Sequence, residues 1–338
     1  MIRFVSKLVV MAVFSILLFT ACFRSHPGET DSPGDAIVVE DFRGETLSFS
    51  QPPRRIVCLI ESALSALYML GADSLIAGVP QSVYKADLYP WYARLDVRIS
   101  KREMPAPGNW DFVSLESLAA IKPELVIIWA EQTDVIENIE RLGIPVYAVM
   151  LHSFEDVHKE IRDLGTITGR EERARELLAF TEAQKKTFRR QISGEDRQRA
   201  YFMWSQGVLE TSGSRSTVEE LFQLAGLENV VKNQDEHLVI NKETLLSLDP
   251  DLIIMWYNEK LDPADVMTEP GFSQMKAIRS KRVYELPSVF ACDFWTLKYL
   301  NAARMVAQWA YPEAYSQNDS LLSESHLMDS LYQFHLKR

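Results

Sequence analysis

Short apolar runs alternate with segments whose apolar residues recur at helical spacing in the first half of the chain. Residues 55–60 form a run of buried-strand type. In the helix predicted next, Ser62 can act as the N-cap and Gly71 as the left-handed stop. A second short strand is predicted at residues 75–79. Strand, helix and strand in this order predict a crossover between parallel strands.

The same order returns further along the chain. Strands are predicted at residues 125–129 and 146–149, with a helix at 135–142 between them. A hairpin over residues 38–49 precedes the first crossover. These patterns predict that residues 37–153 form an α/β lobe built on a parallel sheet.

The segment from residue 154 to 193 carries almost no strand signal and is predicted to be helical. Residues 171–192 are rich in Glu, Ala, Leu, Lys and Arg and contain neither Pro nor Gly, which favours a single helix. At 1.5 Å per residue this helix would span roughly 30 Å. We expect it to be a stiff strut between two lobes; an ordinary surface helix of one lobe would have the same pattern.

The remainder, residues 194–338, contains a partial copy of the first half. Strands are predicted at residues 199–204, 252–256 and 282–286, and helices at 217–224 and 295–309. Residues 116–129 align without gaps on residues 243–256, and six of the fourteen positions are identical. A helix, a Pro turn and a strand ending in Trp therefore occur once in each half. This repeat predicts two similar lobes related by pseudo-symmetry.

The N-terminus has the layout of a bacterial signal peptide. A short basic stretch precedes an apolar run that ends at residue 21, whereas a membrane-spanning helix needs about 20 apolar residues. Small residues before Cys22 resemble the lipobox of bacterial lipoproteins, so residues 1–21 are the predicted signal peptide and Cys22 the lipid-attachment residue. Residues 22–36 are predicted to be a flexible tether. We therefore expect an extracytoplasmic, lipid-anchored protein; an uncleaved N-terminal anchor would give the same topology.

Composition and charge narrow the possible partners. The formal net charge of −11 and the lack of a Lys- and Arg-rich run argue against binding to nucleic acid. A mature chain of about 300 residues is expected to form two domains. Cys58 and Cys292 lie in different predicted lobes, so we expect two buried free thiols, with a disulfide as the alternative.

Aromatic and polar residues cluster where the predicted strands end. Ligands of open α/β sheets bind beyond the carboxyl ends of the strands, and broad rings with a few polar groups suit a large, flat or caged ligand that is partly apolar. For each aromatic residue, a place in the core of its lobe is the alternative. The candidate ligand-binding residues are Glu61, Ser62, Tyr84, Trp110, Trp129, Arg215, Trp256, Tyr257, Asp293 and Trp295.

Catalytic and metal-binding motifs are weakly represented. The chain has no Gly-x-Ser-x-Gly, phosphate-binding loop or His-Glu-x-x-His motif. His152 and His158 are six residues apart, which does not place two ligands on one helix face, so solvent exposure is the favoured interpretation. We therefore expect no catalytic residues, no bound metal and no cofactor of the protein's own. Any metal would arrive inside a chelate.

The order of the motifs resembles a known family. It consists of Pro-Arg-Arg-Ile-Val at residues 53–57, Leu-Glu at 115–116 before Ile-Lys-Pro-Glu-Leu at 121–125, the bridging helix, and Glu243 before Leu-Asp-Pro-Asp-Leu at 248–252. Over residues 37–315 this order is similar to that of the helical-backbone (class III) substrate-binding proteins of ABC importers. That group includes binders of ferric siderophores, haem and cobalamin.

The resemblance implies a fold and a partner. It implies two rigid α/β lobes that are joined by a long bridging helix and hold the ligand between them. It also implies that one acidic residue on each lobe pairs with arginines of the membrane permease, which works with a cytoplasmic ATPase. Glu116 and Glu243 match those two positions, so they are the predicted docking residues. Exposed ion pairs contribute about 1 kcal/mol or less, so such a pair would mainly set orientation and encounter rate.

The resemblance also ranks the possible ligands. Tyr84, Trp110, Arg215, Asp293 and Trp295 fall in segments that line the cleft in relatives. Arg215 could pair with carboxylate or catecholate groups of a chelate, whereas Asp293 and Trp295 correspond to an acid and an aromatic residue near the corrin in cobalamin binders. The lack of a clearly placed axial histidine puts haem third.

The expected protein is a monomeric, non-catalytic receptor for an iron chelate or a corrinoid. It would act by a small closure of stiff lobes and deliver its ligand to an ABC permease. Two other classes remain open: an extracytoplasmic enzyme that acts on a similar ligand, and a ligand receptor that does not transport. The sequence assigns no role to the residues after Pro312.

Overall fold

The structure is a computed structural model that describes residues 36–315 and 323–333 of the 338-residue chain. The predicted signal peptide (1–21), the lipid-attachment residue Cys22 and all of the predicted tether except Ala36 lie outside these ranges. Within the described ranges, none of the helices combines the length and apolar character needed to cross a membrane.

The N-terminal lobe is built on a four-stranded parallel sheet. A hairpin of β1 (Ile37–Glu40) and β2 (Thr46–Phe49) precedes the sheet, as predicted. The sheet has the order β4-β3-β5-β6, and every pair in it is parallel. Its strands and helices are β3 (Ile56–Cys58), α1 (Glu61–Met69), β4 (Ile76–Gly78), α2 (Tyr89–Leu95), α3 (Val97–Ser100), α4 (Leu115–Ile121), β5 (Leu125–Trp129), α5 (Thr133–Arg141) and β6 (Val146–Val149).

Two helices connect the lobes. They are α6 (Phe154–Thr168) and α7 (Glu171–Gln191), and Gly169 ends α6 in the left-handed conformation, at φ +65°. The single helix predicted over residues 171–192 is confirmed by α7. Close packing between the two helices depends on Gly165, because a Cβ at this position would overlap the Cβ of Ala174.

The C-terminal lobe repeats the architecture of the first. Its sheet has the order β9-β7-β11-β12, again with every pair parallel. A small antiparallel pair of β8 and β10 lies beside it. The elements are β7 (Arg199–Met203), β8 (Glu210–Thr211), α8 (Thr217–Leu224), β9 (Glu228–Asn229), β10 (Leu238–Val239), α9 (Lys242–Leu248), β11 (Leu252–Met255), α10 (Pro263–Thr268), α11 (Lys276–Arg279), β12 (Val283–Glu285), α12 (Tyr299–Ala310) and α13 (Glu324–Tyr332).

The internal repeat found in the sequence is also a structural repeat. Ser114 and Asn241 cap the N-termini of α4 and α9, and each side chain accepts a hydrogen bond from the backbone N–H three residues on. The helices end at Lys122 and Asp249, which both adopt the left-handed conformation, at φ 54° and 40°. Both sheets have the same strand order when β3, β4, β5 and β6 are matched with β7, β9, β11 and β12. The predicted fold class, two Rossmann-like α/β lobes joined by a bridging helix, is confirmed.

A matched pair of arginines stabilises the two repeat helices. The Arg199 guanidinium donates hydrogen bonds to the carbonyl oxygens of Leu248 (2.7 Å) and Asp249 (3.1 Å) at the end of α9. In the other lobe the Arg55 guanidinium donates to the carbonyl oxygens of Ile121 and Lys122 at the end of α4. A cation near the last carbonyls of a helix also interacts favourably with the helix dipole. Equivalent residues therefore attach each repeat helix to the strand beside it.

The bridging helices contact both lobes. α6 packs against β1 and α1 of the first lobe, and α7 packs against α6 and against α8 and α12 of the second. The C-terminal helix α13 lies against α1 and α7, which gives a structural role to part of the chain after Pro312. The lobes are therefore braced at the connector and again by α13.

The structure corrects two details of the sequence-based predictions and decides between two alternatives in a third. Ser62 is not an N-cap, because α1 begins at Glu61 and the Ser62 side chain is buried. The last predicted helix begins at Tyr299 rather than near Trp295, since the preceding residues form a loop beside the cleft. Cys58 and Cys292 are both buried and free, so the disulfide alternative is wrong.

Candidate functional site

A cleft of about 660 Å³ opens between the lobes at the carboxyl ends of both sheets. This volume lies in the usual range for small-molecule sites. The N-terminal lobe contributes residues after β3, β5 and β6, and the C-terminal lobe contributes residues after β11 and β12. Seven of the ten predicted ligand-binding residues line the cleft: Glu61, Ser62, Trp110, Trp129, Trp256, Asp293 and Trp295.

Trp256 and Trp295 form one wall of the cleft on the C-terminal lobe, and both pack against the buried Trp204, which is not in the lining. The rings of Trp295 and Trp204 are nearly parallel, at 12° with centroids 6.1 Å apart, and Trp256 meets Trp295 edge to face at 6.0 Å. The Trp204 indole N–H donates a 2.8 Å hydrogen bond to the Ser212 hydroxyl, which fixes the ring at the centre of the group. The wall is therefore rigid before a ligand arrives, and a ligand would not have to order it.

The N-terminal lobe offers a more open aromatic surface. Trp110 is 44% exposed, on a tight turn where the Asn109 backbone N–H donates to the Phe112 carbonyl oxygen at 2.7 Å. Gly108 is required in this turn, because a Cβ would overlap that same carbonyl oxygen. Trp129 is half-buried at the end of β5. Ser62 is buried, and its hydroxyl has no hydrogen-bond partner among the described residues, so it is available to a ligand.

Three predicted ligand-binding residues are not in the cleft lining. The Tyr84 hydroxyl donates to the Met104 carbonyl oxygen at 2.8 Å, and its ring lies under the Arg102 guanidinium, so local contacts hold it inside its lobe. Arg215 is exposed just before α8 and does not line the cleft. Tyr257 follows Trp256 by one residue, and its ring packs on the edge of the core instead. The structure therefore does not bring these three side chains into the cleft lining, and their predicted contact with the ligand stays a prediction.

A buried ammonium group forms part of the cleft floor. Lys298 has 1% of its surface exposed, and its Nζ lies 3.1 Å from the Ser65 hydroxyl oxygen, 3.8 Å from the Asp293 carboxylate and 3.9 Å from the centre of the Phe290 ring. Burial lowers the pKa of Lys298 to about 8, and the Asp293 carboxylate opposes that change. Burial likewise raises the pKa of Asp293, against the effect of Lys298.

The floor is also the place where the lobes meet. Phe290 of the C-terminal lobe stacks on Trp91 of the N-terminal lobe, with centroids 5.0 Å apart and an angle of 9° between the ring planes. Its other neighbours are Tyr92 in an edge contact at 5.2 Å and Tyr332 of α13 at 5.9 Å. The lobes are thus in direct contact beneath the ligand space. We call this group, with Lys298 and Ser65, the interlobe seam.

Carboxyl groups outnumber cations along the cleft. Within the part of the chain that the structure describes, Glu61, Glu131, Glu236 and Asp293 line it together with a single ammonium group, that of Lys298. The Glu61 carboxylate accepts a hydrogen bond from the Ser82 hydroxyl. Burial raises the pKa of Glu236, although the Thr217 hydroxyl donates to it at 2.9 Å. Acidic side chains therefore outnumber basic ones in the described part of the lining.

Two histidines that were not among the predicted ligand-binding residues, His152 and His237, also line the cleft. His152 follows β6, and it is solvent-exposed as predicted but lies at the edge of the ligand space. The same prediction is wrong for His158, which is buried with its Nε2 2.9 Å from the Tyr299 hydroxyl oxygen. The His237 ring packs against Trp204 with centroids 4.9 Å apart, and burial lowers the pKa of His237 so that its imidazole is neutral near pH 7. His152 could have been predicted from the sequence, because it follows the end of β6, which was not searched for ligand-binding residues. Among the described residues, no group of three or more His, Cys, Asp or Glu side chains is arranged to hold a metal ion.

The two predicted docking residues occupy equivalent, exposed positions. Glu116 lies in the first turn of α4 and Glu243 in the first turn of α9. Both are separate from the cleft lining. Their equivalence follows from the repeat, since each comes two residues after the N-cap of its helix.

This two-lobed architecture with a cleft between parallel sheets defines a ligand-binding protein of the bilobal type. A family model described as periplasmic binding protein matches residues 56–290. The chain therefore belongs to the periplasmic binding protein family, whose members are extracytoplasmic substrate-binding proteins of ABC importers. The resemblance stated from the sequence is confirmed at this level.

Curated relatives share the family but differ in ligand. The chain is 23% identical over 259 residues to the uncharacterized ABC transporter substrate-binding lipoprotein YvrC of Bacillus subtilis, which covers 74% of this chain and 78% of that protein. It is also 23% identical over 206 residues to the vitamin B12-binding protein of Vibrio campbellii, covering 60% of this chain and 70% of the relative. The haem uptake protein IsdE of Staphylococcus aureus is 22% identical over 293 residues, covering 84% and 90%. These relatives are binding proteins rather than enzymes.

Solved structures support the fold. The Helicobacter pylori CeuE structure with Ni(II) bound matches with a TM-score of 0.74 at 18% identity, covering 88% of this chain and 98% of that one. The molybdate-bound MolA structure of Haemophilus influenzae matches equally well, with a TM-score of 0.74 at 20% identity, covering 89% and 98%. At these identities the likeness establishes the architecture and leaves the ligand of this chain open.

The pH dependence of stability should reveal one buried acid beside the site. Glu160 of α6 is fully buried, and its carboxyl oxygens have no hydrogen-bond partner among the described residues. Burial, the largest cause, and the nearby Asp293 raise its pKa well above 4.5, so the folded chain keeps a proton that the unfolded chain loses. From this group alone, the free energy of unfolding should fall above pH 4.5 by up to about 1.4 kcal/mol per pH unit until the folded pKa is reached.

Urea unfolding of Glu160→Met between pH 4.5 and 8 tests this expectation. The variant should gain stability relative to the natural chain as the pH rises, because it has no carboxyl group to ionise. Glu171→Met, at an exposed position of α7, should show no such trend. A constant difference between Glu160→Met and the natural chain across this range would mean that Glu160 is ionised in the folded protein.

Proposed function

We propose that this protein captures a metal chelate in the interlobe cleft and delivers it to an ABC permease. The observation that supports the proposal most strongly is the cleft itself, which places tryptophans of both lobes around one ligand space. Flat aromatic walls suit a broad macrocycle that is apolar on its faces and polar at its edge. The protein's own chemistry ends at binding, and the metal enters as part of the cargo rather than as a cofactor.

The charge of the cleft favours one class of chelate. Among the described residues, four carboxyl groups line the ligand space, and the one ammonium group, that of Lys298, already lies near Asp293 and Ser65. An anionic ferric catecholate or an oxyanion would bring negative charge against these acids without a free cation to receive it. A neutral or cationic chelate, such as a corrinoid, avoids that repulsion. We therefore propose a cobalamin-type cargo first and a ferric siderophore of low charge second.

Haem is a further candidate because of the two histidines. His237 presents a neutral imidazole beside Trp204, and a neutral imidazole nitrogen is a good ligand for iron. This observation makes haem a stronger candidate cargo than the sequence alone suggested. The acidic side chains of the cleft would repel the carboxylates of haem. Haem is therefore ranked below a corrinoid in this proposal.

The remaining parts of the proposal concern delivery. Glu116 and Glu243 are exposed at equivalent positions of the two lobes, as expected for contacts with two equivalent subunits of a permease dimer. The seam and the bridging helices favour a small closure of rigid lobes rather than a wide swing. In this proposal the protein acts as a monomer that is held at the membrane by a lipid on Cys22.

Tryptophan fluorescence titrations test the cargo assignment. Cyanocobalamin, haemin, an anionic ferric triscatecholate and molybdate are titrated in parallel against the natural chain. We expect cyanocobalamin to quench the fluorescence at the lowest concentration and molybdate to have no effect. Trp110→Ala and Trp295→Ala should each weaken cyanocobalamin binding more than tenfold, because each removes one aromatic face of the site.

Trp309→Ala is the matched control for these titrations. Trp309 lies outside the cleft lining and stacks on Tyr284 at 5.0 Å, so its loss should change affinity less than twofold. Circular dichroism spectra of all variants check that the fold is kept. Unchanged affinity in both cleft variants would mean that the cargo binds elsewhere, and a chelate recovered in altered form after incubation would favour the enzyme alternative.

Uptake by cells tests the docking assignment. Glu116→Ala combined with Glu243→Ala should reduce cargo uptake at least fivefold while leaving fluorescence quenching unchanged, because the two residues lie outside the cleft. Asp134→Ala with Glu259→Ala, one exposed acid on each lobe, should leave uptake normal. Normal transport by the Glu116 and Glu243 double variant would contradict the docking role.

A further inference from the structure

Two exposed hydrophobic residues stand out on the described surface. Phe112 is 64% exposed and Val239 is 67% exposed, the highest values among the large hydrophobic residues of the described ranges. One lies on each lobe. A single exposed hydrophobic residue is ordinary on a protein surface, so exposure alone would not indicate a function.

Their positions in the internal repeat make the pair unusual. Residue numbers in the two copies differ by 127, and Phe112 and Val239 differ by this same number. Each lies two residues before the N-cap of its repeat helix and four before the glutamate in the first turn. Both lobes therefore expose a large apolar side chain at the same point of the same motif.

The neighbouring positions of the repeat behave in the usual way. Val113 and Ile240, which follow Phe112 and Val239, are partly buried and pack against the cores of their lobes. Leu118 and Leu245 are fully buried in both copies. The repeat thus preserves inward apolar positions that stabilise each lobe, and one outward apolar position that adds nothing to either core.

Backbone contacts hold both exposed residues in place. Phe112 is fixed by the turn in which its carbonyl oxygen accepts from the Asn109 N–H, and by the close approach of Gly108. Val239 lies in the antiparallel pair of β10 with β8, opposite Glu210. Residues whose backbone is already ordered in the free protein lose less entropy when a partner covers them.

We infer that Phe112 and Val239 are apolar docking residues which, with Glu116 and Glu243, form two equivalent contacts for a permease dimer. This inference rests on the proposed function. It adds apolar contacts with the permease to the charged contacts already proposed. Each contact would pair a glutamate with a basic residue and insert the apolar side chain into a socket beside it. An apolar anchor that is buried on binding contributes more affinity than an exposed ion pair.

The charge of the chain favours a protein partner over a lipid surface. The formal net charge is −11, and the glutamates lie four residues from the apolar side chains. Acidic residues at this position would be repelled by the anionic lipids of a membrane surface. They would complement the basic permease surface that the family resemblance implies.

Site-specific photo-cross-linking in membranes tests the inference. Phe112→Cys and Val239→Cys are labelled separately with a benzophenone maleimide, and Val97→Cys and Leu142→Cys, at other exposed hydrophobic positions, are the matched controls. Burial raises the pKa of both Cys58 and Cys292, the latter to about 12, so these native thiols react poorly with maleimide. Membranes of the producing cells that contain the importer are then irradiated, and the adducts are identified by mass spectrometry.

Labels at residues 112 and 239 should both cross-link to an ABC permease subunit, and labels at 97 and 142 should not. In parallel, Phe112→Ser with Val239→Ser should raise the protein concentration needed for half-maximal uptake at least tenfold, against less than twofold for Val97→Ser with Leu142→Ser. Cargo quenching of fluorescence should be unchanged in both double variants.

The outcomes separate this inference from the proposed function. Adducts with lipid, with a second copy of this chain or with no partner at residues 112 and 239 would overturn the inference. The proposed function would still stand in that case if cargo binds and the glutamate double variant loses uptake. If the natural chain neither binds a chelate nor supports uptake, the proposed function fails as well.

Discussion

The interlobe seam is the constraint on which the rest of the structure depends. Phe290 stacks on Trp91 across the lobe boundary, and beside it the Lys298 ammonium group reaches Ser65 of the other lobe. A buried ammonium group is unstable without partners, and Asp293 supplies the opposing charge from the cleft side. The same contacts therefore join the lobes, close the floor of the ligand space and place a carboxylate in its lining.

A seam of this kind limits how the protein can respond to its ligand. The bridging helices contact both lobes, and α13 lies against α1 and α7, so a wide opening would have to break packed contacts at several places. Rigid lobes keep the tryptophan wall ordered, and they also keep the two repeat helices in a fixed relation. Because Glu116 and Glu243 lie on these helices, with Phe112 and Val239 just before them, ligand binding and permease docking would depend on the same rigidity in the proposed mechanism.

The sequence predicted the architecture well because the apolar patterns and the repeat are local signals. It located β5 and β6 at their observed bounds, and the rule for strand ends led to Trp129 and Trp256. The sequence did not predict side-chain positions that depend on tertiary contacts. The side chain of Tyr84, for example, is held inside its lobe by the hydrogen bond from its hydroxyl to the Met104 carbonyl oxygen. The burial of Lys298 could not be predicted from the sequence. The residues around it only indicate the start of an apolar helix, and its contact with Ser65 joins positions far apart in the chain.

We propose that the cargo lies between the aromatic surfaces of the two lobes. An anomalous difference map at the metal absorption edge, from crystals grown with the chelate that quenches the tryptophans most strongly, would locate the metal. We expect one metal peak inside the cleft, between the Trp110 side and the Trp295 side, with the seam contacts intact. A peak outside the cleft, or a bound structure in which Phe290 and Trp91 have separated, would contradict it.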